Sequence, residues 1–190
     1  MANEATSMTL LWLDPIPPAL REKARRDFDS GDVIGFLIKA PNEYSLQIVE
    51  MNCVALKDAG LYEAALFHAL VATRTNNRRY SLECLRWLIQ FADRTTLLAC
   101  GDPLPAEEHF TLYRGVGGRG RARRIRGVSW PASKATAQWF AERAAIFGFH
   151  DPAVYSIRIE RADVYACART ARNEDEYICL LPAQCHPIRL

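Results

Sequence analysis

The spacing of the apolar residues changes once along this chain, at the proline-containing segment 101–105. Before it, apolar residues recur every three to four positions, as in Leu82, Leu85 and Ile89, which is the period of an amphipathic helix. After it, they alternate with other residues, as in Phe110 and Leu112, which is typical of strands. A chain with its helices first and its strands second favours an α+β fold over a wound parallel sheet.

We therefore expect a helical N-terminal region, residues 1–105, packed on a β core, residues 106–190, as one compact unit. In the first region the apolar period predicts helices over about 19–28, 45–59, 61–73 and 81–100, with Ser45 and Ser81 as N-caps and Gly60 as a stop. In the second region we expect strands over 110–116, 124–130, 154–160, 164–168 and 177–181, and one helix over 133–145 that Ser133 caps.

The bulk properties exclude several classes of protein. A net charge of +2 over 190 residues does not by itself indicate a nucleic-acid surface. The six cysteines form no CxxC pair, so we expect free thiols and no metal. No apolar run has the length of a membrane span, and the run 8–13 lacks the basic flank of a secretory signal. We expect a cytoplasmic location and no membrane partner, with delivery into a host cell by a specialised route left open.

The first candidate site residue is an arginine on an apolar strand face. Phe110, Leu112, Arg114 and Val116 are spaced by two and project from the same side. Either a nearby acid or solvent at the strand end satisfies the guanidinium, or Arg114 binds an anionic, phosphate-bearing ligand, with Gly115 allowing that ligand to approach the backbone.

The second candidate is a glutamate at the start of a strand that is apolar on both faces. Glu176 shares a face with Ile178 and Leu180, while the other face is also apolar, so we expect a central strand. A carboxylate so placed is poorly solvated. The alternative is a strand-end acid that points to water or pairs with Arg172.

The segment between these two candidates carries a strand end and a helix start. Taken alone, Ser129 is an ordinary strand-end serine, and Trp139 and Phe140 are interpreted as helix-to-sheet core. Together with the two candidates above, however, this segment completes an ordered set: Leu-Tyr-Arg-Gly at 112–115, Gly-Val-Ser-Trp at 127–130 leading into Ala-Gln-Trp-Phe-Ala at 137–141, and Glu-Asp-Glu-Tyr-Ile at 174–178.

This set resembles the arginine, serine, glutamate signature of mono-ADP-ribosyltransferases of the bacterial effector or phage-encoded type, over about the last eighty residues. The resemblance implies a split pair of β-sheets with NAD between them, hence an ADP-ribosyltransferase-like core of the α+β class. It implies an enzyme that transfers ADP-ribose from NAD to a protein acceptor and releases nicotinamide. The serine motif is incomplete, because Trp130 and Pro131 follow Ser129.

The resemblance also implies a role for each matching residue. Arg114 would bind the phosphates and ribose of NAD, Gly115 would present its backbone to the nicotinamide amide, and Ser129 would brace the site. Glu176 would hydrogen-bond the 2′-hydroxyl of the nicotinamide ribose, and Glu174 would orient or deprotonate an acceptor guanidinium on a host protein. The NAD-binding set comprises Arg114, Gly115, Ser129, Trp139, Phe140 and Glu176, with Arg114, Ser129, Glu174 and Glu176 as the catalytic set.

Three alternatives stay open at this point. Water could replace the protein acceptor, which would make the chain an NAD glycohydrolase. The fold could instead serve as a binding module without turnover that acts on a protein or nucleic-acid partner. The arginines at 119, 121, 123, 124 and 126, interleaved with glycines, form either a solvated hairpin loop or a cationic loop that grips the phosphates of NAD or of a nucleic acid.

Overall fold

The computed structural model describes residues 10–72, 80–169 and 175–190. Its contacts divide the chain into two compact units, Met1–Arg79 and Tyr80–Leu190. The boundary expected at residue 105 lies inside the second unit. The reason is a pair of short helices after residue 80, one of which carries Arg94, whose guanidinium donates to the carbonyl oxygens of Val164 and Arg161 at 3.0 and 2.8 Å.

All the regular secondary structure in the described part of the first unit is helical. Its helices are α1 (Pro18–Asp29), α2 (Val33–Leu37), α3 (Ser45–Met51), α4 (Cys53–Asp58) and α5 (Tyr62–Ala72). Gly60 ends α4 with a φ of +69°, a conformation that favours glycine and allows α5 to begin at once. Helix α2 is too short to show a helical period and is absent from the sequence expectation.

The helix expected over residues 45–59 is two helices, because Asn52 interrupts it. The buried Asn52 side chain accepts from the backbone nitrogen of Trp12 at 2.7 Å and donates to the backbone oxygens of Trp12 and Ile48. These bonds fix a chain segment 40 residues away. Ser45 is the first residue of α3 rather than its N-cap, since a short 3₁₀ turn, Asn42–Tyr44, precedes it.

The second unit begins with α6 (Leu82–Phe91) and α7 (Arg94–Ala99), which replace the single helix expected over 81–100. Ser81 caps α6 as expected, accepting from the nitrogen of Cys84 at 3.0 Å. The chain is extended at Ala92 and Asp93, and the Asp93 carboxylate caps α7. A local capping bond therefore restarts the helix in a new direction.

Six strands and one helix complete the described part of this unit: β1 (His109–Val116), β2 (Ser129–Pro131), α8 (Lys134–Ile146), β3 (Ala153–Glu160), β4 (Val164–Arg169), β5 (Asp175–Cys179) and β6 (Ile188–Arg189). They form two antiparallel sheets, β1-β3-β6 and β2-β5-β4. The prediction that β5 is a central strand is confirmed, as is the mixed α+β class.

The core of the second unit lies between the two sheets. Buried side chains from both sheets meet there, with Trp130 fully enclosed. On the other face of the first sheet, α8 packs through Ala137 and Ala141 against Val154. Helix α8 agrees with the expected helix, and the Ser133 hydroxyl caps it by accepting from the nitrogen of Thr136 at 3.3 Å.

The strand expected over 124–130 is wrong for residues 124–128. Residues 120–123 form a 3₁₀ turn, and the chain enters the second sheet only at Ser129. Here Arg126 donates to the carbonyl oxygens of Leu181, Pro182 and Cys185 at 2.6 to 3.1 Å. The bonds from Arg126 to this distant segment therefore hold the residues around it outside the β-sheet.

The six cysteines form no disulfide with one another, and Cys167 and Cys179 are buried. Burial raises the pKa of both thiols, so neither is a reactive nucleophile. Across the helices that the structure describes, none combines the length and the apolar character needed to cross a bilayer.

Candidate functional site

Arg114 lies near the end of β1, where the edge of the first sheet approaches β2 of the second. Its Nη1 donates to the carbonyl oxygen of Ser129 at 2.5 Å, and its Nε donates to that of Arg124 at 3.2 Å. The guanidinium carbon lies 6.0 Å from the ring centre of Trp130. Backbone carbonyls and an aromatic ring therefore fix the orientation of the charged group.

Gly127 forms the wall of the slot that holds this guanidinium. A Cβ built on Gly127 would lie 2.9 Å from Nε of Arg114 and nearer still to Cζ and Nη2. The indole nitrogen of Trp130 donates to the carbonyl oxygen of Gly127 at 2.7 Å, and this hydrogen bond holds the Gly127 peptide in place. Gly127 is absent from the predicted site residues. Its one signal in the sequence is its place at the start of the motif Gly-Val-Ser-Trp, residues 127–130.

Ser129 and Glu176 meet on the face of the second sheet that points away from the core. In the register of β2 and β5, Trp130 is opposite Tyr177, and both enter the core. Ser129 and Glu176 therefore share the outer face. The Ser129 hydroxyl donates to Oε1 of Glu176, and Glu176 is half-buried.

The structure thus brings together three of the predicted residues from three strands and both sheets. Arg114 contacts the backbone of Ser129, and the side chain of Ser129 contacts Glu176. A fixed cation and a braced carboxylate within one chain of contacts can bind a ligand that carries both phosphate and hydroxyl groups.

Gly115 has a packing role in addition to its predicted one. A Cβ there would lie 2.6 Å from the backbone nitrogen of Ala141 and closer still to the carbonyl oxygen of Ala137. The absent side chain allows α8 to lie directly on β1. The predicted contact of Gly115 with the nicotinamide amide stays a prediction.

Trp139 and Phe140 lie on α8, away from its buried alanines. They are 43% and 38% exposed and contact each other with ring centres 5.0 Å apart. The Arg143 guanidinium lies 5.0 Å from the Trp139 ring centre. Their interpretation as helix-to-sheet core is wrong, because Ala137 and Ala141 occupy the packed face; contact of either ring with NAD stays a prediction.

The arginine-rich segment is used largely inside the fold. Arg126 binds three carbonyls, Arg124 donates to the backbone oxygen of Tyr80, and Arg123 pairs with Asp151 at 2.6 Å. Burial by itself would raise the pKa of Asp151, but the charges of Arg123 and Arg189 outweigh it and hold that pKa below its ordinary value. Arg119 is exposed, and the side chain of Arg121 is outside the described part.

Two residues named in the sequence analysis cannot be placed at the site. Glu174 lies outside the described residues, as does Arg172, the alternative partner of Glu176. Within residues 10–72, 80–169 and 175–190, histidine, cysteine and acidic side chains form no group of three that could hold a metal ion.

Comparison of the chain with protein-family models, with curated proteins and with solved structures gives no match.

Proposed function

We propose that this chain transfers ADP-ribose from NAD to a protein acceptor, an arginine side chain, and releases nicotinamide. The observation that carries the proposal is the linked set Arg114, Ser129 and Glu176, in which residues 62 positions apart in sequence converge through hydrogen bonds. The resemblance of the sequence motifs supports the same set of residues independently of these contacts.

Arg114 is the group that would bind the diphosphate of NAD. A guanidinium is permanently charged and planar, so it matches phosphate oxygens in charge and geometry. The carbonyls of Ser129 and Arg124 hold it in place before the ligand arrives. Binding therefore costs little side-chain entropy at this position.

Glu176 is the group that would act on the nicotinamide ribose. Cleavage of the glycosidic bond develops positive charge on the ribose, and a fixed, half-buried carboxylate stabilises that charge more in the transition state than in the ground state. Nicotinamide leaves as a neutral molecule, so the reaction needs no general acid. The hydroxyl of Ser129 holds the carboxylate in position.

The test is nicotinamide release from NAD by the wild type and by Glu176→Gln, with and without a host lysate and a biotinylated NAD tracer. The amide keeps the shape and the contact with Ser129 but removes the charge, so we expect release to fall by about 10²–10³-fold. Asp175→Asn is the matched control, because it neutralises the adjacent carboxylate, whose pairing with Arg169 at 4.0 Å is a solvent-exposed contact.

The outcomes distinguish a transferase from an NAD glycohydrolase and from a binding module. Release lost in Glu176→Gln but kept in Asp175→Asn, with label on a lysate protein, supports transfer. Release without labelled protein indicates an NAD glycohydrolase. NAD binding that survives Glu176→Gln with no turnover in the wild type indicates a binding module, and neither turnover nor calorimetric binding of NAD refutes the proposal.

A further inference from the structure

We infer that Gly127 is a positioning residue for Arg114, because its bare Cα is the surface against which the guanidinium lies. The inference deepens the proposed function and rests on it for the identity of the ligand. It concerns the anion-binding half of the site, in which the resemblance implies roles for Arg114 and Gly115 but none for Gly127.

The geometry leaves no room for a side chain at this position. Nε of Arg114 lies 2.9 Å from the place where a Cβ would stand, and Cζ and Nη2 lie closer. Ordinary contacts between such atoms are about 3.5–4.0 Å. Even one methyl group at residue 127 therefore displaces the guanidinium from its two carbonyl acceptors.

Gly127 cannot retreat, because its neighbours hold it from both sides. Trp130, which is fully buried, donates its indole N–H to the carbonyl oxygen of Gly127. One residue earlier, Arg126 is bonded to three carbonyls of the 181–185 segment. The flexible partner in the clash is thus the end of the Arg114 side chain and not the backbone.

Gly127→Ala should consequently change the orientation of Arg114 without changing the fold. Gly127 does not have the positive φ that would strain an alanine. The clash is confined to the tip of one long side chain, which can swing away. We expect a folded protein in which Arg114 keeps its charge but loses its orientation.

The experiment uses the full chain and compares the wild type, Gly127→Ala, Arg114→Lys and the double variant, with Gly148→Ala as a remote glycine-to-alanine control. A Cβ on Gly148 meets nothing within 4 Å. The activity-independent readout is the ¹⁵N-edited signal of the Arg114 Nε–H, assigned by its loss in Arg114→Lys. The functional readout is the dissociation constant of NAD by calorimetry.

We expect the Arg114 Nε–H signal to be protected from solvent exchange in the wild type and in Gly148→Ala, and to shift and lose protection in Gly127→Ala. The indole N–H signal of Trp130 should stay in place. The dissociation constant of NAD should rise at least about tenfold in Gly127→Ala. It should be no higher in the double variant than in the weaker-binding of the two single variants, because both changes act on the guanidinium of residue 114.

Three results overturn the inference. The first is an Arg114 signal that Gly127→Ala leaves unchanged, the second is an Arg114 signal that is unprotected in the wild type, and the third is an additive loss of NAD affinity in the double variant. A wild type that binds no NAD refutes the proposed function instead. In that case the Arg114 signal alone decides whether Gly127 positions the guanidinium.

Discussion

Replacing Gly115 with alanine should destabilise the second unit through the contact between β1 and α8. The new Cβ would lie 2.6 Å from the nitrogen of Ala141, 2.9 Å from the carbonyl carbon of Ala137 and closer still to the Ala137 oxygen. An ordinary contact is about 3.5 Å, so the helix must withdraw by roughly 0.9 Å or more. Since these atoms belong to the backbone, no rotamer change relieves the overlap.

Withdrawal of α8 also opens the packing of Ala137 and Ala141 against Val154. Overpacking of this kind costs about 1–3 kcal/mol, and we expect the upper end because a whole helix must move. In urea, at a slope of about 2 kcal/mol per molar, a loss of about 3 kcal/mol lowers the unfolding midpoint by roughly 1.5 M. Circular dichroism and tryptophan fluorescence report the transition.

Gly148→Ala is the control for the backbone cost of losing a glycine. The φ of Gly148, +79°, is unfavourable for alanine, but its Cβ position is open, so Gly148→Ala should cost only the backbone strain of about 1–2 kcal/mol. A Gly115→Ala variant within about 0.5 kcal/mol of the wild type would refute the close approach of α8 to β1, since overpacking costs at least about 1 kcal/mol.

Three further predictions concern single side chains of the second unit. Burial raises the pKa of Tyr177 to about 12, so between pH 10 and 12 the unfolded tyrosine ionises while the folded one keeps its proton. The free energy of unfolding should therefore fall by about 2–3 kcal/mol as the pH rises through this range. Urea titrations of the wild type should show this loss, and those of Tyr177→Phe should not. Ser133→Ala should lower the free energy of unfolding by about 1 kcal/mol, with Ser133→Asp close to the wild type, because the N-cap acceptor of α8 is lost in the first variant only. Arg126→Met should cost about 3 kcal/mol in the same assay, because three carbonyls lose a charged donor, and equal stability of this variant and the wild type would contradict a structural role for Arg126.

Elements whose ends depend on local chemistry could be predicted from the sequence. The caps Ser81 and Ser133 and the stop at Gly60 act on neighbours within three residues, so the pattern that identifies them is short. The interruption at Asn52 and the irregular path before Ser129 could not be predicted in this way. Both arise from side-chain bonds to segments 40 or more residues distant.

The same distinction applies to the candidate site. The alternation of side chains along a strand is local, so it predicts the face of Arg114 without knowledge of the sheets. The apolar residues on both faces of the strand that carries Glu176 likewise predict its central position. The acceptors of Arg114 are backbone carbonyls, which every residue possesses, so no residue type marks Arg124 or Ser129 as their source. The arginine segment was ambiguous for a related reason: its side chains bind carbonyls, and the sequence does not show which carbonyls lie within reach.

Gly115, Gly127 and Glu176 provide three perturbations whose combined outcome tests the structural reasoning more strictly than any one of them. At Gly115 the obstacle to a Cβ is the backbone of α8, so stability should fall first. At Gly127 the obstacle is the tip of Arg114, so NAD affinity should fall while stability is kept. Glu176→Gln preserves shape and contacts, so turnover should fall while stability and the Arg114 signal are kept. A Gly127→Ala variant as unstable as Gly115→Ala would mean that the guanidinium supports the fold, and the separation of fold from site in this part of the chain would fail.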